Sequence, residues 1–428
     1  MKLKKIVSLI TVSAAMVSGV SCSDKAEVTP KKQQTVVTLS WWGNDTRNDY
    51  TINAMDIFEE LHPDIKVKCS YSEWSGYEAR SRVQMISDTE ADVMQINVGW
   101  LSQYSPDGKG YYDLEKLTDI IDLSNFSEEL LNYGRVNGVL NGIPIAMNAE
   151  TVYINKTIYE KYGLDVPETW DDLFDAAEAM RNDGIYPMSA GSKAMWMTAA
   201  AYAEQVSGKS FLNSDGSLGF SAEEFRIMIE IYKRMVDKKV IPIVEFYDKL
   251  NITDGTYAGT IAWVSDAVNY CGKAIENGYE IIPAEYLSDG KSAVGTGWYA
   301  KPASLYSISK NTEHPEEAAA LIDFMLNSRE MALLQGVEKG IPLSTSAREV
   351  LDEEKMLTGI QYEASLIMEN NPALRHMDPF MENSAVIDAY IEQSDLVIYG
   401  KASAEEASHE LFRIVNNTLS QQRAKTSK

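Results

Sequence analysis

The sequence predicts an α/β protein of two lobes, each a doubly wound, mainly parallel sheet flanked by helices. A strand–helix alternation runs from Thr35 to Val98, and a second alternation begins after Gly142. The chain has 428 residues, 45% of them apolar, so it is long and apolar enough to bury more than one core.

In the first alternation, Val36, Val37, Leu39 and Trp41 make Thr35 to Trp42 a buried strand. Tyr50, Ala54, Ile57, Phe58 and Leu61 follow at helical spacing, and His62-Pro63 stops them. Ile65 to Tyr71 is a second strand, Tyr77 to Ser87 a helix, and Asp92 to Val98 a third strand. In the second alternation, Ile143 to Ile154 is apolar and extended. Thr169-x-x-Asp172 is a capping box that opens a helix ended by Asn182-Asp183-Gly184. Helices follow over 199–208 and 222–238, then strands over 259–264 and 303–309. Pro315, with Glu316 and Glu317 behind it, starts another helix, and the tail from Arg348 to Ser420 is mostly helical. Asn213-Ser-Asp-Gly-Ser217 has the flavour of a calcium loop but lacks its first Asp and its final Glu, so it reads as a hairpin turn.

Residues 1–21 read as a secretory leader: Lys2, Lys4 and Lys5, an apolar stretch from Ile6 to Val17, then small residues. Cys22 directly after Ser21 resembles the acylated cysteine of a bacterial lipoprotein, which would hold the protein on the extracellular face of the cell membrane. The alternative is an ordinary secretory leader with an incidental cysteine. Residues 22–34 are too polar to pack and read as a flexible tether. Cys69 and Cys271, far apart in sequence, make neither a disulfide framework nor a metal cluster and are expected to be buried.

The charge excludes one class of partner. With 39 Lys and Arg against 63 Asp and Glu, the net charge of −24 repels a phosphate backbone, so no nucleic acid is expected. The same acidity favours a soluble monomer. Catalysis also lacks its parts. Only His62, His314, His376 and His409 are present, with no Gly-x-Ser-x-Gly elbow, phosphate-binding glycine loop, His-Glu-x-x-His or zinc-type cysteine pair. No metal or cofactor is expected. A carboxylate pair for glycoside hydrolysis stays open, because chain spacing cannot reveal one.

The tryptophans mark a site instead. Trp42 ends the first strand, Trp74 follows the second and Trp100 the third. In a doubly wound sheet, these strand ends border the crevice where ligands bind. Indoles stack on the C–H faces of a pyranose, and Asn44, Asp45, Arg47, Glu73, Gln95 and Asn97 beside them supply hydrogen bonds. Each tryptophan alone is as easily core as site. Trp170, inside the capping box, reads as core.

Further stretches carry a resemblance: Phe58-Glu-Glu-x-x-Pro63-Asp-Ile-Lys-Val67, Ala91-Asp-Val-Met-Gln-Ile96, Gly142-Ile-Pro144, Val152-Tyr-Ile-Asn-Lys156, Tyr162-Gly-Leu-x-x-Pro167-x-Thr-Trp170-Asp-Asp-Leu173 and Gly340-Ile-Pro342. With Val37 to Trp42 they span nearly the whole mature chain, which resembles the family 1 extracellular solute-binding proteins of carbohydrate ABC importers. That resemblance implies a periplasmic-binding-protein-like fold: two lobes joined by crossing hinge strands, 145–153 and 299–306, that close on a ligand. It places lobe one at 35–146 and 303–345, and lobe two at 147–302 and 346–428. It also implies that Asn148, Glu150, Trp196, Ser265, Asp266 and a stacking Trp298 contribute from lobe two. The ligand would be a sugar or oligosaccharide, and the partners the permease subunits of an importer. A sensor subunit feeding a receptor and a secreted glycoside-acting enzyme are the alternatives. Arg47, Lys301 and Lys339 leave an acidic sugar open, or else serve as surface salt-bridge partners.

Overall fold

The computed structural model describes residues 34–426, so the leader, Cys22 and the tether up to residue 33 lie outside the described residues. A mixed sheet has the strand order Ile65–Ser72, Thr35–Trp42, Val93–Ile96, Tyr299–Ile308, Ile143–Asn155, Gly259–Trp263. Arg375–His376 adds to Tyr299–Ile308, and Ile281–Ala284 adds to Ile143–Asn155.

The first three strands pair in parallel, with Thr35 opposite Ile65, Trp42 opposite Ser72 and Leu39 opposite Val93. Parallel neighbours need crossovers, and the helices Asp45–Leu61 and Trp74–Ser87 supply them. Val37, Leu39 and Trp41 point to one face, where Ala54 and Phe58 meet Leu321, Ile322 and Met325 of the helix Pro315–Asn327. Pro315 occupies the first turn of that helix with Glu316 and Glu317, as the sequence predicts. A second, larger core gathers Val152, Ile154, Trp170, Trp196 and Trp298 under the helices Trp170–Met180, Ser192–Ser207, Ala222–Asp237, Ser384–Ile398 and Ala404–Thr426. Both bonds of the Thr169–Asp172 capping box form. Asn213 to Ser217 is the expected hairpin turn, closed by Asn213 N–H on Ser217 O at 2.9 Å.

Two features depart from the sequence reading. The ladders that the long strand Ile143–Asn155 makes in the second lobe are antiparallel, with Glu150 opposite Trp263 and Asn155 opposite Ile281. That strand arrives already antiparallel to Tyr299–Ile308, with Ile143 opposite Tyr306, so neighbours running the same way as Tyr299–Ile308 must oppose it. The helix Thr345–Glu353 packs Ala347 and Leu351 on Ala332, so the first lobe's side chains reach past residue 345.

The long strand carries register shifts between Pro144 and Ala146 and between Ala146 and Met147. A proline that cannot donate to the ladder and a bulge bend the strand here, between the two cores. The Gly340-Ile-Pro342 loop backs the bend: Pro342 bridges Ala146, and Leu343 N–H donates to Ile145 O at 3.1 Å. Gly340 has φ of +101°, and a Cβ there would lie 2.7 Å from the Ala146 Cβ. Gly340→Ala is therefore expected to lose about 1–3 kcal/mol or more of stability, read as a lower midpoint in denaturant. An unchanged midpoint would show that this contact yields easily.

Candidate functional site

At the C-terminal ends of the three parallel strands the structure assembles one aromatic wall. Trp41 and Trp42 are adjacent in a strand, so they face opposite sides. Trp41 is buried, with its indole N–H on Asn48 Oδ1 at 3.0 Å, and Trp42 turns to the other face. There its ring centre is 4.9 Å from Trp74, edge to face, and 5.4 Å from Tyr77. Trp74 lies 6.1 Å from Trp100, near parallel, and Trp100 stacks on Tyr77 at 5.9 Å. The fully buried Tyr77 donates its hydroxyl to Gln95 O at 2.7 Å, which pins the array to the third strand. Trp74 is 38% exposed, with its ring open to solvent, whereas Trp100 is buried beneath it.

The polar residues predicted beside this wall divide by task. Asn44 caps the helix Asp45–Leu61, accepting from Arg47 N–H at 2.9 Å, and Asp45 is exposed in its first turn. Arg47 donates to Glu338 O at 2.8 Å. Glu73 is exposed just before Trp74 and makes no side-chain cap. Gln95 donates to Ser304 Oγ at 3.0 Å, leaving its own buried Oε1 without a partner. Asn97 accepts from Gly99 N–H at 2.8 Å.

Across the hinge, the crossing strands set a second group. Asn148 lies opposite Lys301, and Glu150 lies opposite Trp263. Asn148 donates to Ser265 Oγ at 2.9 Å and accepts from Ser265 N–H at 3.1 Å. Lys301 pairs with Glu382, which also accepts from Lys193 Nζ at 2.9 Å, and the Lys301 ammonium lies 4.9 Å from the centre of the half-buried Trp263 ring. Burial would raise the Glu382 carboxyl, but Lys301 and Lys193 overcome it and hold that carboxyl below its usual range. Glu150 differs. Burial pushes its carboxyl up to about 8; Lys193 and Lys301 oppose the rise, Glu382 and Asp266 add to it, and its Oε2 has no hydrogen-bond partner. Asp266, half-buried, accepts from Asn269 at 3.2 Å. The segment carrying Glu382 also borders the first lobe: His376 meets the Tyr133 ring at 4.6 Å, and Pro379 lies 3.7 Å from where a Gly99 Cβ would stand.

Two residues predicted for the cleft belong to the second core. Trp196 is fully buried, its indole N–H on Met381 O at 2.9 Å. Trp298 is 2% exposed, donates to Leu287 O at 3.3 Å and stacks near parallel on Trp170. With ring and N–H both satisfied inside the protein, neither indole is left for a ligand. Trp263, Lys193 and Glu382 are absent from the predicted contacts, and Lys301 entered only as a possible partner of an acidic sugar. Trp263 ends a strand just as Trp42 does and could have been found by the same rule; Glu382 comes from the tail, where no local pattern marks it. Lys301 and Lys339, 7% and 4% exposed, are not surface residues.

Two lobes with an aromatic wall on one and a charged, polar group on the other, meeting at paired crossing strands, define a hinged binding protein. Residues 53–359 match the model of the bacterial extracellular solute-binding proteins, and the chain belongs to that family. The multiple sugar-binding protein of Streptococcus mutans is 25% identical over 363 residues, 80% of this chain and 82% of its own. The periplasmic oligogalacturonide-binding protein of Yersinia enterocolitica, solved with saturated digalacturonic acid, superposes with a TM-score of 0.81 at 28% identity, over 91% of this chain and all of its own. A de novo designed cysteine esterase is equally similar, with a TM-score of 0.81 at 28% identity over 91% of this chain and 99% of its own. Of the two described thiols, Cys271 is buried as expected but Cys69 only partly so, and burial pushes Cys69 up to about 11 and Cys271 up to about 12.

Two outcomes test this arrangement. Trp196→Ala and Trp298→Ala should each lose about 3–5 kcal/mol of stability, whereas Trp74→Ala should stay within about 1 kcal/mol of the parent in denaturant unfolding. Glu150 has a raised folded-state pKa, so the stability it contributes is full below its unfolded value and is lost as pH rises toward about 8. Glu150→Gln should remove that part of the pH dependence. Identical slopes for parent and variant between pH 5 and 8 would show the carboxyl to be ionised throughout.

Proposed function

We propose that this protein captures a sugar or oligosaccharide outside the cell and presents it to the permease of an ABC importer. The observation that carries the reading is the wall of Trp42, Trp74 and Trp100 on one lobe, which Trp263, amid hydrogen-bonding and charged groups of the other, would face on closure. Flat apolar faces next to directed polar groups suit a pyranose, which is apolar on its faces and polar at its rim. The names of the relatives in Streptococcus mutans and Yersinia enterocolitica support a saccharide. Lobe one would comprise residues 35–146 and 303–345 and lobe two 147–302 and 346–428, with the helix Thr345–Glu353 siding with lobe one. Closure would turn about the bend at Pro144 to Met147. Of the predicted ligand contacts, Trp42, Asn44, Asp45, Arg47, Glu73, Trp74, Gln95, Asn97, Trp100, Asn148, Glu150, Ser265 and Asp266 stay in this proposal. Trp263 and Lys301 join them.

The protein would act as a monomer, with no cofactor, held at the outer face of the membrane through an acylated Cys22 after removal of residues 1–21. Among the described residues, no helix is long and apolar enough to cross a membrane. One observation favours a second reading: Glu150 held neutral near an ionised Glu382 is the pairing of acid and carboxylate that glycoside hydrolysis uses. Against it, Glu382 is held by two lysines rather than left to attack or activate water.

A thermal-shift panel of saccharides, followed by calorimetric titration of those that raise the melting temperature, tests capture. Chromatography of the ligand after long incubation should return it unchanged; cleavage abolished by Glu150→Gln would establish the glycosidase instead. Cys22→Ala should release the protein from membranes, and recovery of the parent solely in the medium would show ordinary secretion. Deletion of the gene should abolish uptake of the bound sugar, whereas intact uptake with lost induction by that sugar would show a sensor.

A further inference from the structure

Lys339 lies on the loop that backs the hinge, next to Gly340, and is buried. Its ammonium makes one hydrogen bond, to the Tyr306 hydroxyl at 3.0 Å, and sits 5.4 Å from the centre of the Tyr306 ring and 5.9 Å from that of Tyr50. Among the described residues, no carboxylate pairs with it. Arg47 stands beside this group at the start of the helix Asp45–Leu61. Its Nε lies 3.4 Å from Glu338 Oε1 but is buried without a hydrogen bond. The Tyr50 hydroxyl is also buried and unpartnered. Two cations, two hydroxyls and a helix N-terminus thus surround one spot, and Glu338, the one carboxylate there among the described residues, offsets Arg47. The Lys339 charge is uncompensated. A protein rarely keeps an unpaired ammonium in its interior, because burial favours the neutral form. Here burial and Arg47 together push the Lys339 ammonium down to about 7, so an anion arriving at this spot would find a charge ready to be paired.

The spot lies at the end of the strand that carries the wall, on the Trp41 side of the sheet: a Cβ on Gly43, the residue after Trp42, would stand 2.7 Å from the Arg47 Cβ. We infer that Lys339 and Arg47, with the hydroxyls of Tyr50 and Tyr306, form a carboxylate subsite, so that the captured saccharide is an acidic one bearing a uronate. This deepens the saccharide reading of the cleft and rests on it. A carboxylate accepts from ammonium, guanidinium and phenol together, whereas the hydroxymethyl group of a neutral sugar leaves the ammonium unpaired. The digalacturonic acid of the Yersinia enterocolitica relative has this chemistry.

The test is titration of the full mature protein with digalacturonate, diglucuronate and dimannuronate, each beside the neutral disaccharide in which hydroxymethyl replaces carboxylate. The acidic member of a pair should bind at least about tenfold more tightly. Lys339→Met should lose that margin while its ligand-free melting temperature holds or rises, because an unpaired buried charge has been removed. A merely structural lysine would give the reverse. Arg47→Gln is the second variant, should Lys339→Met fail to fold.

Acid binding by the parent should weaken as pH rises from 6 to 9 and Lys339 loses its proton, and it should be flat with pH in Lys339→Met. Arg47 sits against Glu338, and over that range Tyr50 and Tyr306 stay neutral because burial raises both. Tighter binding of the neutral partners, or unchanged acid affinity in both variants, would overturn the subsite and leave the saccharide function standing. No binding by any member of the panel would remove both.

Discussion

Two strands hold this molecule together by belonging to both of its cores. Ile143 and Ile145 pack in the first core, while Val152 and Ile154, further along the same strand, pack in the second. Tyr306 stands in the first core near the end of a strand that starts directly after Trp298, in the second. Their antiparallel ladder, from Ile143–Tyr306 to Ala149–Ala300, shifts register twice, between Pro144 and Ala146 and between Ala146 and Met147. The ladder also positions the chemistry. Asn148 meets Lys301, and Glu150 meets Trp263, because cross-strand register fixes which side chains are neighbours. A one-residue slip would turn each of them to the opposite face.

The cleft concentrates charge where a protein chosen only for stability would not. Lys301, Glu382, Glu150 and Lys339 are shielded from water, and each loses hydration that its partners restore only in part. Their environments separate them into different states. Glu382, held between two lysines, stays ionised; Glu150, with no hydrogen bond to one of its oxygens, keeps its proton; Lys339 is poised between charged and neutral. Desolvated polar groups that stay imperfectly satisfied weaken the folded state and sharpen discrimination among ligands, because a wrong ligand leaves them unpaired.

The first lobe was largely legible because its determinants are local. Alternating Val37, Leu39 and Trp41 mark the strand Thr35–Trp42, and an N-terminal proline marks the start of the helix Pro315–Asn327. The gathering of Trp42, Trp74 and Trp100 followed from strand order alone. What escaped was set by tertiary packing. Ladder direction leaves no trace in a hydrophobic pattern, so the antiparallel pairing of Glu150 with Trp263 could not be read. Trp196 lies in the helix Ser192–Ser207, which is buried on nearly every side, so no polar stripe separates a core indole from a functional one. Glu382 reaches Lys193 from 189 residues away, a distance no motif spans.

The sheet of the first lobe also governs the order in which the protein becomes structured. Val93–Ile96 finds its antiparallel neighbour in Tyr299–Ile308, and the helix Pro315–Asn327 that covers Phe58 comes later still. The opening strands and helices therefore emerge long before the segments that complete them, and the intervening chain must fold into most of another lobe. Contacts this distant along the chain carry a large loop-closure cost and slow folding. A nascent chain of the first hundred residues holds three strands that pair with one another but lacks the antiparallel neighbour of Val93–Ile96 and the helix that covers Phe58, so its apolar face stays open until those segments are made. A polypeptide that settles so late remains threadable through a narrow pore, and one released halfway is a substrate for chaperones and proteases rather than a half-working protein.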